Sequence, residues 1–287
     1  MRLAFLGTPE VAVPPLRALV DAGHDVALVV TRPDKKRGRG GALAPSPVKA
    51  AAQELGLAVT SQVDDVLDLG AELGVVVAYG RIIKPHVLAV LPMVNIHFSL
   101  LPRWRGAAPV ERAILAGDDV TGVCIMAIEE GLDTGPVYAS QERPIGEEET
   151  LEEVRGALTE MGAQMLVELL AHGLPEPQPQ VGEPTYAAKI EPEEHHLDWS
   201  RPAVELHRVI RLGLAWTTFR GRRLRVLRAR VSAGPELAPG ELDAGSVRVG
   251  TGAGALELVG VQPEGKGPQP APAWRNGARL QPGERFA

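Results

Sequence analysis

Short Val-, Ile- and Leu-rich runs alternate with helical stretches through the first half of the chain, and this pattern restricts the fold more than any other feature. Residues 2–6, 25–31, 74–78, 93–97 and 121–128 are too short for helices and too evenly apolar for strands wetted on one face. Strands covered on both faces read this way, which points to βαβ units and a mostly parallel sheet. The intervening stretches carry helix-start chemistry. Pro14 and Pro15 fall in the first turn of a helix over residues 13–20, where a missing N–H costs little. Ser46-Pro47 sets an N-cap before an N1 proline, opening a helix over residues 48–55. Ligands of such sheets bind at the C-terminal ends of the strands.

Past residue 140 the pattern changes. Leu151, Val154, Leu158, Met161, Met165 and Leu169 keep helical spacing over residues 150–171. Residues 173–184 hold four prolines in twelve positions and have the composition of a linker. Residues 202–212 read as one more helix. From Thr217 onward, short strands at 224–231, 246–250 and 255–261 alternate with Gly/Pro turns, the pattern of a small β-barrel.

Several classes drop out at once. With Cys124 the one cysteine of 287 residues, there is no intrachain disulfide and no cysteine-built zinc site. No apolar run approaches the ~18 residues of a membrane helix, and the N-terminal residues lead straight into a strand without the marks of a secretory signal. The expectation is an intracellular chain. The turn Gly7-Thr8-Pro9 lacks the glycine fingerprint of a dinucleotide site, which disfavours a nicotinamide dehydrogenase. The net charge of −6 conceals an asymmetry: residues 1–200 carry 16 basic and 29 acidic side chains, residues 201–287 carry 14 and 7. A basic C-terminal portion on an acidic body suggests a polyanionic partner.

Candidate chemistry gathers in four places. Asn95 and His97, two apart at a strand end, point to the same face. An amide donor beside an imidazole suits a carbonyl that turns tetrahedral, although such a pair also occurs as a plain hydrogen-bonded strand end. Asp133 lies between Gly131 and Gly135 after a later strand, and reads either as a turn cap or as a carboxylate converging on His97. Residues 32–41 hold five cations, Lys36, Arg37 and Arg39 among them, and three glycines; this is either a solvated loop or a phosphate-binding arm. Residues 220–230 hold six arginines, including Arg222, Arg223 and Arg225, and no acid, which favours a phosphate-binding surface. On a strand, Arg228 and Arg230 share the parity of Leu224 and Val226, so the basic stripe is not clean.

These motifs together resemble the methionyl-tRNA formyltransferases. The resemblance is carried by Leu6-Gly7-Thr8-Pro9, Gly38-Arg39-Gly40, Val76-Val77-Ala78-Tyr79-Gly80, residues 95–109 and 131–135, Tyr186-Ala187-Ala188-Lys189-Ile190 and Leu197-Asp198-Trp199, and it spans nearly the whole chain. Phe98 departs from it, standing where a glycine is expected. The resemblance implies a Rossmann-like, mostly parallel α/β domain over residues 1–189, a linker over 190–202 and a small OB-like β-barrel domain over 203–287. It implies formyl transfer from 10-formyltetrahydrofolate to the α-amine of methionyl initiator tRNA, in the cytoplasm, by a monomer, with no metal and no membrane. Asn95, His97 and Asp133 fall on catalytic positions, and Ser99, Leu100, Leu101 and Pro102 on the folate-binding stretch. Arg39, with Lys36 and Arg37, falls on a loop that approaches the tRNA acceptor stem. The charge asymmetry adds the expectation that the basic C-terminal domain, with Arg222, Arg223 and Arg225, makes further tRNA contacts. Another folate-dependent formyltransferase, such as the glycinamide ribonucleotide enzyme, would share the Asn/His/Asp set but would not need the basic segments.

Overall fold

The structure, a computed structural model, describes residues 1–37, 41–234 and 236–287, the side chains of Lys36, Arg37 and Ala42 excepted. Arg39 therefore lies outside the described residues, as do the side chains of Lys36 and Arg37. The chain divides into two compact units: residues 1–110, 120–144 and 155–188, and residues 111–119, 145–154 and 189–287.

The first unit contains β1 (Arg2–Gly7), β2 (Asp25–Val30), β3 (Lys35–Arg37), β4 (Ala42–Ala44), β5 (Val59–Thr60), β6 (Leu73–Val77), β7 (Met93–His97), β8 (Arg105–Gly106), β9 (Val120–Ala127), β10 (Val137–Pro144) and β11 (Tyr186–Ala187). Seven of these form one sheet in the order β10-β9-β7-β6-β1-β2-β5. Pairings from β5 to β7 are parallel, and those of β9 with β7 and with β10 are antiparallel. This is the mostly parallel sheet that the sequence pattern predicts, and the Rossmann-like domain that the resemblance implies. β6 is buried at every position, as its unbroken apolar run requires.

The helices in chain order are α1 (Val13–Asp21), α2 (Pro47–Glu54), α3 (Pro85–Leu88), α4 (Pro109–Ala116) and α5 (Leu151–His172). The Ser46 side chain caps α2, accepting from the Lys49 amide at 3.0 Å. Val94 and Ile96 point to one face of β7, and Ile96 meets α5 at Gly162; a Cβ there would come within 2.7 Å of Ile96 Cγ2. Asn95 and His97 take the opposite face.

Two expectations about connections give way. Residues 173–184 are not a free linker: Gln178 exchanges backbone hydrogen bonds of 2.8 Å with Val137, and Gln180 is tied into the first unit. Residues 190–202 pack rather than span, since Leu197 is wholly buried and Trp199 is 5% exposed in the core of the second unit. Proline richness marks chain that cannot join a helix, and such chain can still be fixed by side-chain hydrogen bonds.

The second unit contains α6 (Ala203–Arg211), β12 (Trp216–Phe219), β13 (Arg222–Ser232), β14 (Arg248–Gly250), β15 (Ala255–Pro263), β16 (Gln269–Pro270) and α7 (Ala271–Ala278). Its strands form one antiparallel sheet in the order β12-β13-β15-β14, with β16 beside β15, consistent with a small barrel. Arg220 and Gly221, both with positive φ, turn the chain between β12 and β13. The parity problem in β13 is solved by irregular register around Arg228. Leu224 and Val226 are buried before it and Ala229 after it, so Arg228 and Arg230 emerge on the solvent side.

Candidate active site

The site lies in the first unit. β7 ends at His97, where Asn95 and His97 face a cleft of about 550 Å³. The ends of β6 and β7 and the loop after β9 line this cleft, with Asn95, His97 and Asp133 all in its wall. Sequence position alone would not place Asp133 there. Because β9 runs antiparallel to β7, its last residue, Ala127, lies beside Val94 and not beside His97. The loop over residues 128–136 therefore doubles back to bring Asp133 up to the histidine.

His97 is 5% exposed, and its two ring nitrogens have different partners. Nε2 lies 2.9 Å from the carbonyl oxygen of Trp104. A carbonyl only accepts, so Nε2 carries a proton and donates it. Nδ1 lies 3.7 Å from Asp133 Oδ2, too far for a direct hydrogen bond. An atom hydrogen-bonded to both groups has to sit to one side of the line between them, on the cleft side. Asp133 is held in turn by the Gly106 amide, which donates to the same Oδ2 at 2.7 Å. The Asn95 side chain is half-buried and has no hydrogen-bond partner among the described residues, so its amide is available to a ligand. Cys124 sits opposite His97 across the β7–β9 ladder; burial pushes its thiol up to about 11, which keeps it protonated and out of nucleophilic chemistry at neutral pH.

The backbone at the site is strained. Ala78, Trp104 and Asp133 take left-handed φ values of 46°, 62° and 50°. Such conformations cost about 1–3 kcal/mol each in non-glycine residues and persist only where their surroundings enforce them. At Trp104 the enforcement comes from Thr185, whose Oγ1 accepts from the Trp104 amide at 2.9 Å. β11 extends this contact by pairing with β8. At the other flank, Gln180 Nε2 donates to the carbonyls of Asp133 and Gly135, both at 2.8 Å. Trp104 and Arg105 fall within the motif of residues 95–109, but their part in the site is not readable there, and Thr185 and Gln180 carry no signal at all, because all four contribute through a carbonyl or through hydrogen bonds to partners distant in the chain.

Gly135 closes this loop against β9. A Cβ at Gly135 would sit 2.0 Å from the Ala127 carbonyl oxygen, so Gly135→Ala forces the loop away from the strand. Turnover should fall about 10-fold or more through displacement of Asp133, while the sheet stays folded. Steady-state kinetics with a circular-dichroism melt checks this, and a folded variant at wild-type turnover would contradict it.

Ser99, Leu100, Leu101 and Pro102 occupy the turn after β7, and none of them lines the cleft. The buried Ser99 hydroxyl donates to the Arg103 carbonyl at 2.6 Å, and Leu100 packs toward Gly122. The cleft wall is built instead by Tyr79, Ile82, Ile83, Phe98, Ile128 and Leu132.

In the second unit the arginines divide by partner. Arg220 has a counter-charge after all, a two-pronged contact with Glu284 at 2.6 and 2.9 Å. Arg223 lies over the Trp216 ring at 4.3 Å. Arg225 donates to Gln262 Oε1 and to the Gly213 carbonyl. The side chains of Arg222, Arg228 and Arg230 are exposed and make no hydrogen bond among the described residues, Arg228 acting through its charge on Glu153.

Comparison with known proteins adds independent observations. Residues 1–170 match the family model described as formyl transferase, and residues 189–279 match the formyl transferase C-terminal domain. The chain is 46% identical over 301 residues to a methionyl-tRNA formyltransferase of Jannaschia sp., covering 99% of each. A second methionyl-tRNA formyltransferase, of Dinoroseobacter shibae, is 49% identical over 284 residues, 93% of this chain and 94% of that one. Among solved structures, the fold is similar to that of methionyl-tRNA formyltransferase from Clostridium thermocellum, with TM-score 0.61 and 18% identity over 82% of this chain and 95% of that chain.

Proposed function

The chain belongs to the methionyl-tRNA formyltransferase family, and from that premise we propose how its first unit moves a formyl group onto the α-amine of methionyl initiator tRNA. We assign 10-formyltetrahydrofolate as the donor, with the chain acting as a cytoplasmic monomer. The observation that carries the reading is the convergence of Asn95, His97 and Asp133 on one cleft, with His97 Nε2 engaged by a carbonyl and Nδ1 turned toward Asp133.

Each residue then has a task set by its chemistry. The Asn95 amide donates to the formyl oxygen as that oxygen gains negative charge. His97, held in orientation by the Trp104 carbonyl, presents Nδ1–H to the same oxygen when protonated. Asp133 balances the imidazolium charge and takes a proton from the attacking amine, directly or through a bridging water. The new bond joins the amine nitrogen to the formyl carbon. The bond from that carbon to the folate nitrogen breaks, and the amine's proton is returned to the departing nitrogen. Apolar cleft walls at Ile83, Phe98 and Ile128 suit the flat ring of a pterin. Ser99, Leu100, Leu101 and Pro102 serve the donor through the turn that carries the Trp104 carbonyl to His97.

Transfer from the donor to charged initiator tRNA, to free methionine and to glycinamide ribonucleotide tests the reading. Transfer should be confined to the charged tRNA; preference for the ribonucleotide would move the chain to the rival activity.

For tRNA contacts we assign Arg39, Lys36 and Arg37, together with Arg222, Arg223 and Arg225. The partners of the last three rank them. Arg222 is exposed and free to meet a phosphate, whereas Arg225 is tied to Gln262 and Gly213. Arg222→Ala should flatten the logarithmic salt dependence of tRNA affinity by roughly 0.7–0.9, one phosphate contact's worth of released counterions. Arg225→Ala should flatten it less, and neither should change donor affinity. An unaltered slope in Arg222→Ala would remove that residue from the RNA surface.

A further inference from the structure

We propose that Gln180 is a positioning residue that holds both flanks of His97 in register, through one side-chain amide shared between the Asp133 loop and β8. The inference rests on the catalytic reading of Asp133 above. Gln180 Nε2 donates to the carbonyl oxygens of Asp133 and Gly135, 47 and 45 residues away in sequence. Its Oε1 accepts from Arg105 twice, from Nε at 3.1 Å and from a terminal guanidinium nitrogen at 2.7 Å. The amide orientation follows from the partners, since arginine only donates and carbonyls only accept. Both N–H groups and both lone pairs are therefore engaged, and the side chain acts on the site only through what it holds.

What it holds is the immediate frame of the histidine. Arg105 follows Trp104, whose carbonyl accepts from His97 Nε2, and precedes Gly106, whose amide donates to Asp133 Oδ2. The Asp133 loop on the other side is left-handed at Asp133 itself, a conformation that needs external support. Two hydrogen bonds from Gln180 to carbonyls of this loop supply that support. The same amide thus fixes the carbonyl that orients His97 and the carboxylate that faces it.

Two substitutions separate the arms. Gln180→Ala removes both. Gln180→Glu keeps an acceptor for Arg105 but cannot donate, and sets a carboxylate against two carbonyl oxygens. Both should lower kcat by about 10- to 100-fold, the scale of a misplacement near 1 Å, with KM for donor and tRNA close to wild type. A general loss of structure would not confine itself to kcat. Placed in an Asp133→Asn background, Gln180→Glu should cost little more, because the group it positions is already disabled. Exchange of the Gly106 amide hydrogen should accelerate in Gln180→Glu, while amides of β6 and β7 keep their protection. Wild-type kcat in folded Gln180→Glu, or losses that multiply in the double variant, would overturn the inference. If Asp133→Asn alone retains full turnover, the catalytic reading of Asp133 falls instead. The clamp is then decided by Gly106 exchange alone: faster exchange in Gln180→Glu upholds it, and unchanged exchange overturns it.

Discussion

Asn95→Ala should lower turnover by about 10²–10³-fold and leave the Michaelis constants for donor and tRNA near their wild-type values. The split follows from the kind of interaction removed. The Asn95 amide faces the cleft without a protein partner among the described residues, so truncation orphans no internal group. Its hydrogen bond strengthens as negative charge develops on the formyl oxygen, and a bond of that kind contributes to kcat more than to binding. Asp133→Ala should lose turnover on a similar scale by a different route, since it removes the charge opposite His97 and the partner of the Gly106 amide. Steady-state kinetics on variants with wild-type circular dichroism checks both. A raised donor KM with intact kcat would make Asn95 a binding residue and end its assignment to the oxyanion.

The largest stability effect should come from Trp199→Ala in the second unit. Trp199 is 5% exposed and stacks on Phe286 at 5.2 Å between ring centres, and Phe286 stacks on Trp274 at 5.9 Å. The indole N–H donates to Thr217 Oγ1 at 2.9 Å. Deleting the ring opens a cavity among aromatic groups that have little freedom to collapse, at a cost of about 3–5 kcal/mol. Trp199→Phe keeps most of the packing and loses the hydrogen bond, for about 1 kcal/mol. Denaturant unfolding of both variants gives the comparison. A loss below about 1 kcal/mol in Trp199→Ala would show that residues near 199 behave as the linker that the sequence suggested.

How much was legible in the sequence depended on whether local pattern or distant partners decide a segment. β7 was readable to its ends, because an apolar strand finishing in Asn-x-His changes character at the point where it meets the site. β10 was not, since it forms the edge of the sheet with half its residues exposed and none buried, and so shows no apolar run. β13 looked inconsistent in parity because an irregular register is invisible without the partner strand. At the site, Asn95, His97 and Asp133 carry side-chain chemistry that sequence displays. The Trp104 carbonyl, the Gly106 amide and Gln180 do not: two act through the backbone, and the third stands among prolines that gave its segment the look of a linker.

The most direct measurement of the central claim is a single-turnover experiment with formyl-labelled 10-formyltetrahydrofolate bound to the protein and methionyl initiator tRNA added in excess. Wild-type protein should move the label to the α-amine of the methionyl group in one fast phase. His97→Ala should bind the same amount of donor and transfer it at least about 100-fold more slowly, because the imidazole held by the Trp104 carbonyl is gone. An unchanged transfer rate in folded, donor-loaded His97→Ala would contradict the claim that this cleft performs the reaction.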